Sequence, residues 1–149
     1  MNRRRMGRAA LALAAVVGIA APSWAEDLVF VVSSEVSIEI NKDLVKDVYW
    51  GRRLYWPKIG KQVKLCLRAA QSPLNEVLLR DFLMTSQQRY DRYWKSQMLA
   101  GRSSGMENLK DLDAVIDFTS RNPGSIAFMS VQEAERVVNP RIRKIRIAP

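Results

Sequence analysis

The stretch "LCLRAAQSPLNEVLLRDFL", residues 65–83, decides the fold. Leu65, Cys66 and Leu67 form a short apolar run of the kind a buried strand uses, and the run stops at Arg68. Ser72 then supplies a helix N-cap, and Pro73 suits the first helical position, where its missing N–H would have had no partner anyway. Leu74, Val77, Leu78 and Phe82, with Leu79 and Leu83, share one side of the following helix, and Asn75, Glu76, Arg80 and Asp81 fall opposite. A strand that ends on an arginine in front of a helix start has two readings. One is a notch for an anion, because unpaired N–H groups there add about half a positive charge. The other is punctuation between two core elements.

The same alternation continues on both sides. Leu28 to Val32 is an apolar run that reads as a strand buried on both faces. Asn41 caps a helix with Leu44, Val45, Val48 and Tyr49 on one side, and Gly51 ends it. The bulky turn Gly51 to Pro57 leads into a strand over Gln62 to Leu67. A further helix is expected from Thr85, with Gln88 as capping-box partner and Tyr90, Tyr93, Trp94 and Met98 as an aromatic face that packs on the core. Leu109, Leu112, Val115, Ile116 and Thr119 suggest another helix, ended by Asn122-Pro123-Gly124 before a strand over Ser125 to Met129. The tail from Arg141 to Ile147 mixes isoleucines with four cations, as expected of an edge strand protected from self-pairing. Strand, helix, strand, helix from the start argues α/β.

Composition narrows the chemistry. Arg3, Arg4, Arg5 and Arg8 precede a small apolar stretch, Ala9 to Ala21, and Ser23-Trp24-Ala25 carries small residues where a signal peptidase reads. This predicts a secretory signal peptide over 1–25, cut between Ala25 and Glu26, followed by a single domain over 26–149. Four of the 24 basic residues lie in the signal and none of the 15 acids does, so the mature charge is 20 − 15 = +5. An exported chain of modest positive charge suits small anions or acidic proteins, and nucleic acid is not expected. No later segment is apolar enough for a membrane span. Cys66 is the only cysteine and the chain has no histidine, which excludes an internal disulfide, cysteine metal clusters, the usual zinc sites and histidine-dependent nucleophiles. No enzyme activity and no cofactor is expected.

Several segments, in order, resemble one family. "DLVKDVYWGRRLYWP" (43–57) is similar to the helix, glycine and tryptophan segment of the phosphate-binding proteins of ABC transporters, which have the type II periplasmic binding protein fold. "VKLCLRAAQSP" (63–73) resembles their strand followed by Arg-x-Asp-x-Ser-Gly-Thr, and "RNPGSIAFMS" (121–130) their Thr-Pro-Gly-Ala-Ile-Gly-Tyr turn into a central strand. The resemblance implies a single-lobe, periplasmic-binding-protein-like (type II) mixed sheet flanked by helices, in a periplasmic protein. It also implies an oxyanion site in which Arg68 stands for the family's arginine and Ser72 for its serine. Asn75 and the donor-rich loop residues Arg102, Ser103 and Ser104 complete the candidate ligands.

Three positions depart from the motif: Ala70 replaces the aspartate, Pro73 the glycine and Leu74 the threonine. Two functions follow as expectations, weak recognition of phosphate or another small oxyanion, or contact with an acidic envelope protein by a module that has lost the ligand site. The 124 residues after the signal hold one lobe where solute carriers close two, so a homo-oligomer that sets two half-sites face to face would complete an anion site.

Overall fold

The period-two pattern of the two most apolar strands explains the architecture of the computed structural model, which describes residues 28–102 and 106–148. The expected signal peptide, and Ser103 and Ser104, lie outside these described residues. Strand β1 (Leu28–Ser33) pairs antiparallel with β4 (Ser125–Ser130), Phe30 opposite Phe128 and Val31 opposite Ala127. Phe30, Val32, Ile126 and Phe128 point into one core, and Val29, Val31, Ala127 and Met129 into another on the opposite face. Such strands need cover on both sides, and the helices between them supply it.

The first core is covered by α1 (Lys42–Tyr49), α2 (Pro73–Val77) and the π-helical turn that continues it (Leu78–Phe82), and by Tyr90 of α3 (Gln87–Leu99). The second is covered by α4 (Leu112–Arg121) and α5 (Val131–Arg136) through Val115 and Ala134. Between these layers the sheet runs in the order β3-β2-β4-β1-β5, with β2 (Lys64–Arg68), β3 (Glu107–Leu109) and β5 (Ile142–Arg146) completing it. Strand β2 is parallel to both β3 and β4, whereas β1 is antiparallel to both β4 and β5. The result is the expected mixed α/β sheet flanked by helices, with the cationic tail at one edge.

Local chemistry shifts several boundaries. Ser86, not Thr85, caps α3, its Oγ accepting from the Arg89 N–H at 3.4 Å. Leu109 belongs to a three-residue strand, and the helix after it starts only at Leu112, where Asp111 accepts from Ala114 N–H at 2.9 Å. Strand β2 starts at Lys64, while Gln62 makes an isolated bridge to Tyr55. The long loop before β2 is pinned through Trp56, whose buried indole N–H donates to the Gly124 carbonyl at 2.8 Å. Gly124 sits at φ 81°, and a side chain there would collide with the Gln62 carbonyl, so this turn requires glycine.

Candidate functional site

Strand β2 delivers Arg68 at its carboxyl end, 7 % exposed, where the chain turns toward α2. The backbone around it is fixed by Asn75, buried one turn into α2. Asn75 Oδ1 accepts from the Arg68 N–H at 3.0 Å, and its Nδ2 donates to the carbonyls of Arg68 (2.9 Å) and Ala69 (3.0 Å). A β-strand end that leaves its sheet must satisfy its peptide groups elsewhere, and this amide satisfies three of them. Ser72 closes the other side of the turn, its Oγ accepting from Leu74 N–H at 3.4 Å and its carbonyl from Asn75 N–H at 3.2 Å. Pro73 contributes no N–H, so the mouth of α2 is largely self-capped.

The guanidinium of Arg68 reaches across to α5. Nη1 donates to Glu133 Oε2 at 2.9 Å and Nη2 to Oε1 at 3.0 Å, a two-pronged pair joining residues 65 apart in sequence. Glu133 is held in turn by a capping box. The Ser130 N–H donates to Oε2 at 2.9 Å, while Ser130 Oγ accepts from the Glu133 N–H at 3.1 Å. Partial burial pushes the Glu133 carboxyl up, but the hydrogen bonds from Arg68 and Ser130 outweigh burial and hold it below the usual glutamate range. Arg68 Nε, fully shielded, has no acceptor among the described residues. A buried arginine without a counter-charge would be strongly destabilising, so the pair secures the fold even where its net energy is small.

Two cavities separate the remaining candidates. One of about 600 Å³ opens beside Ser72 and Asn75, with Arg80 and Thr85 on its wall. Arg102 lies elsewhere, lining a cavity of about 890 Å³ with Lys64, Tyr93, Trp94 and Glu107. Lys64 begins β2 and Arg68 ends it, some four residue steps or roughly 13 Å apart. Ser72 and Asn75 thus flank the Arg68 backbone, while its guanidinium turns to Glu133, and Arg102 lines a separate cavity that Lys64 also lines. The residue that sequence reasoning missed is Glu133, although Ser130-x-x-Glu133 directly after an apolar strand has the spacing of a capping box.

The chemistry available here is ionic and hydrogen-bonding. Burial pushes the Cys66 thiol well up, and its Sγ lies 3.6 Å from the Ile126 carbonyl, the setting of an unreactive thiol. Among the described residues no group of three or more His, Cys, Asp or Glu is placed to hold a metal ion, and no helix is long and apolar enough to cross a membrane.

No family model and no curated protein matches the sequence. Solved structures do match the fold. PstS from Borrelia burgdorferi superposes with a TM-score of 0.62 at 16 % identity, over 81 % of this chain and 47 % of its own. An ABC-type phosphate transport receptor from Vibrio cholerae gives 0.52 at 14 % identity, over 81 % of this chain and 46 % of its own. At such identities the likeness is one of fold. The chain thus shares its mixed α/β fold with these receptors and spans about half of their length.

Proposed function

We propose that the chain is a non-catalytic binding module, exported to the periplasm, that uses a single lobe of the solute-binding architecture to contact an acidic envelope protein. The observation that carries this reading is the internal satisfaction of the β2 end. Both terminal nitrogens of Arg68 are held by Glu133, the Asn75 amide is held by the backbone, and Ser72 Oγ caps its own helix. A free oxyanion would have to displace a carboxylate tethered in place, which competes at high effective concentration.

Recognition then falls to the surface. Arg141, Lys144 and Arg146 are exposed on and beside the edge strand β5. On α3, Met98 and Leu99 are 51 % and 82 % exposed next to a groove walled by Tyr90, Trp94 and Met106. The groove lies at the β2–β3 side of the sheet and the cations at its opposite, β5 edge, so the apolar groove and the cationic edge are two separate contact surfaces, and the cations make association with an acidic partner salt-sensitive.

The test combines two measurements. Phosphate or sulfate at about 10 mM should leave the melting temperature within about 1 °C of its value in chloride of equal ionic strength. Envelope-protein association should weaken with salt and with Arg141→Glu/Arg146→Glu. A rise of several degrees in phosphate that Arg68→Ala abolishes would overturn the reading in favour of weak oxyanion recognition. That second reading is favoured by the cavity opening at Ser72 and Asn75 and by two comparison structures that are a PstS and a phosphate transport receptor.

A further inference from the structure

The cavity of about 890 Å³ at the start of β2 has the size of pockets that hold small organic ligands. One wall is aromatic and held in place by its neighbours. Gly51, just past α1, sits at φ 67°, and a Cβ there would come within 2.9 Å of the Trp94 ring, so only bare backbone lets that ring lie flush. The Tyr93 hydroxyl donates to the Trp50 carbonyl at 2.6 Å, and the Tyr93 ring meets Trp50 and Trp94 edge to face, with centroids 4.9 and 5.7 Å apart. Rings locked this way form a wall that exists before any ligand arrives. The charged lining is mostly cationic, Arg53, Lys64 and Arg102 against the single carboxylate of Glu107. Arg53 meets Asp47 through Nε at 3.7 Å, too far for a hydrogen bond, and Lys64 Nζ spends one of its three donors on Asn122 Oδ1 at 3.2 Å. Both side chains are exposed and keep donors to offer. Lys64 opens β2, at the end opposite the Arg68 to which the family resemblance assigns the oxyanion.

We propose that this cavity binds an aromatic carboxylate, its rings against Tyr93 and Trp94 and its carboxylate on Arg53 and Lys64. A compact inorganic anion would satisfy the cations and leave the aromatic wall in water. A neutral ring would cover the wall and leave the excess positive charge without a counter-ion. An acid with an aromatic body answers both halves of the lining, apolar surface for shape and a few polar groups for orientation. The inference does not rest on the module reading, which uses the β5 edge and the groove beside Met98 and Leu99.

The experiment is a calorimetric titration near pH 7 with 2-naphthoate, which is fully ionised there. Naphthoate should bind saturably at one site. The neutral 2-naphthol, which keeps the rings, and acetate, which keeps the charge, should each bind at least about tenfold more weakly. Arg53→Met/Lys64→Met, which alters exposed side chains, should weaken naphthoate by at least about tenfold as well. Gln97 lines this cavity and not the neighbouring groove, so Gln97→Trp, which fills the space with an indole, should abolish binding. Circular dichroism melts check that the variants are folded, and should the indole prevent folding, Gln97→Phe is read in its place. The proposal is overturned by the absence of saturable heat up to about 1 mM naphthoate, by naphthol binding as tightly as naphthoate, or by a folded variant that binds like the unaltered protein. Phosphate response and protein association are measured separately, so the cavity and the module reading fail independently.

Discussion

Asn75 holds the end of β2 with three hydrogen bonds from a side chain 3 % exposed, and this identifies it as a clamp. Asn75→Ala leaves one N–H and two carbonyls without that partner and should cost about 2 kcal/mol in urea unfolding without any anion present. A variant as stable as the parent would show that water replaces the amide. Glu133 gives a pH signature. Its folded pKa is the depressed one, so its stabilisation is complete above the unfolded value of about 4.3 and is lost as pH falls through the folded value. Urea midpoints should therefore drop more steeply below about pH 4.3 for the parent than for Glu133→Gln; parallel curves would refute the assignment. Gly124→Ala combines φ 81° with a clash against the Gln62 carbonyl and should destabilise by about 3 kcal/mol, read as a lower melting temperature.

Among the elements, the edge strand β5 and the helix caps separate what short sequence windows can reveal from what they cannot. Among the described residues strand β5 pairs only with β1, and it carries the charges expected of a protected edge. Removing exposed charge with Arg141→Thr/Arg146→Thr should increase self-association with concentration in light scattering, whereas an unchanged mass would mean that the edge is protected otherwise. Lys144 is left in place because its Nζ donates to the Ala134 and Val137 carbonyls at 2.9 and 3.0 Å and so anchors the end of α5. Strands β1 and β4 and helices α1 and α2 were legible because caps and periodicity are local signals: Asn41 and Ser72 cap where expected. Strand β3 was not, because three residues show no period and pair only when β2 lies alongside. Helix α5 was also missed, its six residues being too few to display an apolar stripe.

At the scale of the molecule, helices cover both faces of the sheet among the described residues, and Cys66 sits inside one of the two cores. The thiol lies in the core beneath α4, 1 % exposed, with burial raising its pKa. It should resist a disulfide reagent at pH 8 in the native state and react fully in denaturant, and rapid native reaction would show that β2 opens locally. The half-length match to two receptors belongs to this scale as well. A lobe whose strand-end arginine is neutralised internally can fold and persist without a ligand, which is what the proposed module needs.

The sequence by itself determined that this chain is α/β, where most of its strands and helices lie, and that histidine and thiol-cluster chemistry are absent. These follow from residue type and from spacings of two to four residues, which act within one turn or one pleat. Only the tertiary structure decided what Arg68 does. A guanidinium carries its charge wherever it stands, but the group that compensates it is set by how the chain returns, and here that group arrives from 65 residues away. The same holds for Arg102, expected beside Arg68 as a candidate ligand, which lines a different cavity, shared with Lys64 at the start of β2.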